Sequence, residues 1–156
     1  MRKRLCACIS VLAAMSCTGK STLTLPTPTQ ANITLTVSPS PATAAICCGD
    51  SDFPYYATVT GTLTIQETAG IGGNIDIVSV GGIGATSSAV NYEASSIVRL
   101  VGTNRVGGKG SFVVPLSWDT GLLNPNAGRP FVLSVYVALI DDRGNHVNAA
   151  TQWTTN

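Results

Sequence analysis

Charge is what this chain has least of. Asp, Glu, Lys and Arg make up 11% of its 156 residues, well under the ordinary quarter or so. Of the nine Lys and Arg, three stand at positions 2 to 4, so the other six face eight Asp and Glu, a net charge near −2 beyond the leader. No basic cluster survives, which argues against nucleic acid as a partner, since phosphate binding draws on grouped Lys and Arg. Histidine occurs once, at His146, and one His does not build a multi-His metal centre. No Ser stands in a G-x-S-x-G elbow, and Glu67, Asp76, Glu93 and Asp119 are scattered without a motif. The apolar run Leu5 to Met15 has eleven residues, short of the roughly 20 that a helical span needs. No stretch beyond it carries a helical period. These absences point away from catalysis, and no enzyme activity, cofactor or metal is expected.

What is abundant is Gly, at 16 residues, together with Thr and Val in alternation, the composition of an all-β chain. The clearest stretch is Phe131 to Trp153 (FVLSVYVALIDDRGNHVNAATQW). Phe131, Leu133, Val135, Val137 and Leu139 share one face, and Val132, Ser134, Tyr136, Ala138 and Ile140 the other, by the period of two of a strand. A loop of Asp142, Arg143 and Gly144, with Gly144 left-handed, sets Asp141 opposite Asn145. Leu139 then pairs with Val147, Val137 with Ala149, Val135 with Thr151 and Leu133 with Trp153. A two-residue turn would set Leu139 against Asn148 and break the match of apolar faces.

Upstream, the alternation predicts strands at Asn32–Ser38, Tyr55–Glu67, Asn74–Val80, Ser96–Gly102 and Ser111–Asp119. In the second of these, Tyr55, Ala57, Val59, Leu63 and Ile65 face inward over an outward ladder of Thr58, Thr60, Thr62 and Thr64. Gly61 interrupts the inward set and marks a bulge or a close crossing. Pro115 lacks a ladder donor, so its flank should face an edge or a gap in pairing. With the hairpin this makes about seven strands at the spacing of an antiparallel β-sandwich. The segment between the first two strands, AAICCGDSDFP, reads as a loop.

Arg2, Lys3 and Arg4 followed by the apolar run form a secretory signal. It ends in Ala14-Met15-Ser16-Cys17, which resembles the lipobox of bacterial lipoproteins, with Ala14 where that family usually has Leu. The resemblance implies that residues 1–16 are a signal peptide and that Cys17 becomes the acylated first residue. Thr18, in place of an Asp, implies the outer membrane. Residues 17–31, rich in Thr and carrying Pro26 and Pro28, read as an extended tether. Residues 32–156 form the folded domain. Its strand spacing and the Asp141-Asp142-Arg143-Gly144-Asn145 turn resemble bacterial immunoglobulin-like and PKD-like surface domains. The fold so implied is an immunoglobulin-like antiparallel β-sandwich, though without the inter-sheet disulfide and third-strand Trp of antibody domains.

Four groups could carry function. Cys47 and Cys48 could close on each other as a vicinal disulfide clip, cross-link chains, or stay reduced. Asp50 with Asp52, and Asp141 with Asp142, could supply oxygens to Ca²⁺, but Asp is also the common residue for capping turns, and no spaced ligand ladder is present. Phe53, Tyr55 and Tyr56, with Tyr92, could form a platform for sugar or peptide, or cap the end of the core. The function expected is that of a lipid-anchored, noncatalytic envelope module serving structure, adhesion or protein interaction. The alternative is a small carbohydrate-binding module. The partners in view are a membrane reached through the lipid, and an envelope protein or glycan.

Overall fold

The computed structural model describes residues 27–83 and 88–156. The signal peptide, Cys17 and most of the tether lie outside the described residues. In chain order the elements are β1 (Ile33–Ser38), β2 (Ala44–Cys48), β3 (Tyr55–Glu67), β4 (Gly73–Gly82), β5 (Ala89–Glu93), α1 (Ala94–Val101), β6 (Arg105–Val106), β7 (Ser111–Leu122), β8 (Val132–Asp141) and β9 (His146–Thr154). They build two antiparallel sheets packed face to face, an all-β sandwich. Among the described residues no helix is long and apolar enough to cross a membrane.

The central strand of the first sheet is β3. β7 pairs along its whole length, from Tyr55↔Leu122 to Gln66↔Ser111. The other side of β3 is shared in tandem, by β1 over residues 62–67 and by β2 over residues 55–59. Pro39 and Pro41 separate these two short strands, where a continuous ladder would lose two donors. The second sheet runs β5-β4-β8-β9, with β6 added beside the start of β4. The facing rows meet in one core with Trp118 and Trp153 fully buried. Trp118 lies across the ring of Phe131, centroids 5.5 Å apart.

The closing hairpin has the register that the alternation predicts. Leu139 faces Val147, Val137 faces Ala149, Val135 faces Thr151 and Leu133 faces Trp153. Asp141 N–H donates to the Asn145 carbonyl at 2.9 Å, and Gly144 takes φ +82°, a region open to glycine at little cost. Gly61 is a close crossing and not a bulge: β3 keeps its register through it, and the Trp153 ring lies on its main chain.

Three expectations are corrected. Ser96–Gly102 is no strand: Ala94–Val101 is a helix, ended by Gly102, whose N–H donates to the Val98 carbonyl. Ala94, Ile97, Val98 and Val101 stand at helical spacing, and burying Ile97 beside β4 and β7 outweighs the strand preference of its β-branched residues. The Ala44–Cys48 segment is a strand and not a loop, and β5 and β6 also went unseen, so the described residues hold nine strands and not about seven. Finally, the domain begins before Asn32. Ala31 is buried, its N–H donates to Asp141 Oδ2 at 3.0 Å, and the Asn145 amide donates to the Thr29 carbonyl at 3.2 Å.

Candidate functional site

The sandwich has two ends. At one, Ala31 enters beside the β8–β9 turn. At the other stand the β2–β3 loop and the segment after β7. β3 runs from one to the other over 13 residues, about 40 Å at the rise of a strand.

The β2–β3 loop is shaped by Asp50. Its Oδ1 accepts the N–H groups of Asp52 and Phe53 at 3.0 and 2.9 Å, while Asp50 N–H donates to the Phe53 carbonyl. These bonds swing Phe53 back over β7, where its ring lies flat on Gly121. A Cβ at Gly121 would come 2.4 Å from the ring, so only glycine admits this packing. Tyr56, opposite Gly121 in the ladder, points outward beside Phe53, centroids 6.4 Å apart at 58°. Its hydroxyl donates to Asp50 Oδ2 at 3.2 Å. The amides of Phe53 and Asp52 hold the Asp50 carboxyl below the usual range, and the hydrogen bond to Asp50 in turn pushes the Tyr56 hydroxyl up.

Beside Phe53 opens a cleft of about 330 Å³, lined by Phe53, Leu122, Leu123, Asn124, Ala127 and Gly128, with Gly121 at its base. The lining is mainly apolar, and Leu123 (72% exposed) and Phe53 (43%) stand on its rim. Tyr55 takes no part in the platform: its ring packs against the core from the inward row, opposite Cys48 and Leu122. Tyr92 is also elsewhere, on β5, with its hydroxyl bonded to Ser117 of β7. Leu123 was missed by sequence reasoning. Its signal was available: Leu122 ends an alternating strand and Leu123 follows it, so if one faces in, the other faces out.

Cys47 and Cys48 close β2, in register with Tyr56 and Tyr55. Both are exposed free thiols with their Sγ atoms 3.4 Å apart, beyond the roughly 2.05 Å of a disulfide.

Asp141 and Glu67 are tied into the backbone. Asp141 is buried, its oxygens taking the N–H groups of Ala31, Arg143 and Asn145 and the Asn145 side chain. Burial by itself would raise its carboxyl, but those donors outweigh it and hold the group down at about 2. Asp142 instead forms a bidentate ion pair with Arg105 at 2.9 and 2.7 Å. Glu67 is fully buried and accepts the amides of Asn32, Ala69, Gly70 and Lys109 at 2.8–3.1 Å. Among the described residues no group of three His, Cys, Asp or Glu side chains is placed to hold a metal ion. His146 is exposed at the start of β9, opposite Ile140.

No protein-family model matches the chain, and no curated protein matches it in sequence. Solved structures do resemble it. An X-ray structure of Northeast Structural Genomics Consortium target SoR45 superposes with a TM-score of 0.55 at 11% identity, over 79% of this chain and 85% of that one. A Bordetella pertussis protein assigned as ApaA gives 0.51 at 10% identity, over 80% of this chain and 93% of its own. At such identities the likeness is one of fold alone. The class defined is a two-sheet antiparallel β-sandwich.

Proposed function

We propose that this chain is a lipid-anchored, noncatalytic module of the bacterial envelope, immunoglobulin-like in kind, that meets a protein partner at the tip of its sandwich. The observation that carries the reading is the polarity of the domain. The polypeptide that leads back to Cys17 joins at Ala31, and the Phe53–Leu123 cleft opens at the opposite end of β3. A domain held by lipid at Cys17 would turn that apolar rim away from the membrane. Exposed large apolar side chains around a concave site are the usual mark of a docking surface.

Mass spectrometry of the protein extracted from native membranes tests the anchor. The expected species begins at Cys17 and carries acyl chains, with residues 1–16 removed. A chain that retains Met1, or one recovered from the cytosol, overturns the reading.

Phe53 and Tyr56 favour a second reading, a small carbohydrate-binding module. Two neighbouring aromatic rings with a carboxylate 3.2 Å from the Tyr56 hydroxyl offer stacking and hydrogen bonding together. A glycan array separates the two. Binding that is lost in Tyr56→Ala supports the second reading, and silence across the array leaves the first.

A further inference from the structure

We infer that β9 is a pairing edge, through which the protein associates with a second copy of itself, β9 against β9 antiparallel about a two-fold axis at Ala150. The inference goes beyond the reading above and does not depend on the lipid anchor.

It begins with the treatment of sheet edges. An unpaired strand offers a row of N–H and C=O groups to any other strand, and proteins ordinarily blunt such edges. β7 is blunted. The Glu67 N–H donates to the Gly110 carbonyl, which sets the even residues of β7 toward β3 and turns the main-chain groups of Pro115, Ser117 and Asp119 outward. Pro115 has no N–H to offer. The Tyr92 hydroxyl takes both groups of Ser117, at 2.7 Å from the nitrogen and 2.8 Å from the oxygen, and Ser88 Oγ covers the Asp119 carbonyl at 3.0 Å.

β9 has no such guard. Asp141 and Asn145 exchange a main-chain bond at one end of the hairpin, as do Phe131 and Thr155 at the other. With unbroken register between them, the odd residues of β9 face β8, and His146, Asn148, Ala150 and Gln152 turn their N–H and C=O groups outward. Ala42 covers the Thr154 carbonyl. Among the described residues no main-chain bond from outside the hairpin reaches 146–152. The strand has no Pro and no bulge there, and no Lys, Arg, Asp or Glu anywhere from His146 to Thr154.

The same strand is self-complementary. With the axis at Ala150, this small exposed residue meets its own copy, and Asn148 meets Gln152 of the partner subunit on both sides. Carboxamides then face carboxamides, each able to donate and accept, and no like charges oppose each other. A charged or strongly apolar partner segment would find no counterpart on this strand, whereas a second copy does. Because the partner strand runs the other way, the two Asn145 ends lie at opposite ends of the pair. If each chain is also anchored at Cys17, this suits copies held on facing surfaces, a consequence that alone rests on the anchored reading.

The test uses the full-length chain with two different tags, co-expressed and purified in detergent with a reductant present, which removes any cross-link through Cys47 or Cys48. Wild-type copies are expected to co-purify. Ala150→Lys against itself should reduce recovery about tenfold or more, because like charges set directly opposite oppose pairing. Ala150→Lys mixed with Ala150→Glu should restore it. Wild-type copies that stay apart overturn the inference, and that includes capture of the edge by residues 18–26 of the same chain. Ala150→Lys pairs recovered as well as wild type also overturn it, as does a Lys–Glu mixture that stays apart while both variants melt like wild type. Should Ala150→Lys fail to fold, Asn148→Lys is compared against Gln152→Glu and against Gln152→Lys, and equal recovery of the two mixtures overturns the inference.

Discussion

The indole of Trp153 lies against the main chain of Gly61. A Cβ on Gly61 would stand 2.6 Å from Cζ2 of that ring and 2.8 Å from the Ser38 carbonyl oxygen. The ring is locked in turn by its Nε1–H, which donates to the Pro39 carbonyl at 2.8 Å. The contact joins the two sheets at their β1 and β9 margins. Neither neighbour can yield: one is main chain, the other a fully buried ring. Gly61→Ala is therefore expected to destabilise the fold by about 1–3 kcal/mol, read as a lower denaturant midpoint at unchanged slope. Gly107, with nothing within 4 Å of its Cβ position, is the control, and Gly107→Ala should stay within about 0.5 kcal/mol of wild type.

Glu67 is expected to be the most sensitive carboxylate. Oε1 accepts the amides of Asn32 and Ala69, and Oε2 those of Gly70 and Lys109, so one side chain ties the starts of β1 and β7 to the end of β3. Glu67→Gln leaves one accepting oxygen and turns an NH₂ toward two donors, in either orientation of the amide. The expected loss is about 2–4 kcal/mol, the cost of buried donors left without acceptors. An unfolding curve that matches wild type would refute this account of the three-way junction.

Acid should unfold the domain through the same groups. The folded protein holds Asp141 at about 2 and Glu67 below its ordinary value. Burial pushes both up, and the donated N–H bonds more than reverse it. A depressed pKa means that the folded state binds protons less readily than the unfolded chain. The contribution is thus fully present above the ordinary carboxylate range, near pH 4. It is lost as the pH falls from there toward 2. Unfolding free energy should be level above about pH 5 and decline below about pH 4, with a shallower decline in Asp141→Asn, which has no carboxyl to protonate. A wild-type curve flat between pH 4 and pH 2 would contradict this.

The hairpin was legible because its information is local. Period-two alternation fixes the faces, and Gly144 fixes the loop length, so every pair from Leu139↔Val147 to Leu133↔Trp153 follows. Gly61 was legible as an interruption, although Trp153, its reason, lies 92 positions away and only the fold brings it there. The edge at Pro115 was legible from a missing donor. What was not legible depended on distant partners. Ala44–Cys48 looks like a loop until β3 is beside it, and Ile97 reads as a strand residue until packing beside β4 and β7 buries it. The Phe53 cleft needed two loops far apart in sequence to meet at Gly121. Glu67 gave no signal at all, since its partners are backbone amides that any sequence supplies.

The guard on β7 offers the last expectation. The Tyr92 hydroxyl both donates to the Ser117 carbonyl and accepts from its N–H, closing the outward-facing residue between Pro115 and the Ser88-covered Asp119. Tyr92→Phe keeps the ring in place against the core and removes only this plug. Folding stability should fall modestly, by about 1 kcal/mol, since water can reach the freed groups. The larger effect should be on association. Ser111, Val113 and Ser117 would then present a continuous outward run beside Pro115, with Val113 already half exposed, and exposed edges of this kind invite strand addition. Light scattering during incubation near the melting temperature should rise faster for Tyr92→Phe than for wild type, and Val113→Lys added to it should suppress the rise. Equal scattering from Tyr92→Phe and wild type would mean that Pro115 and Ser88 protect the edge without the tyrosine.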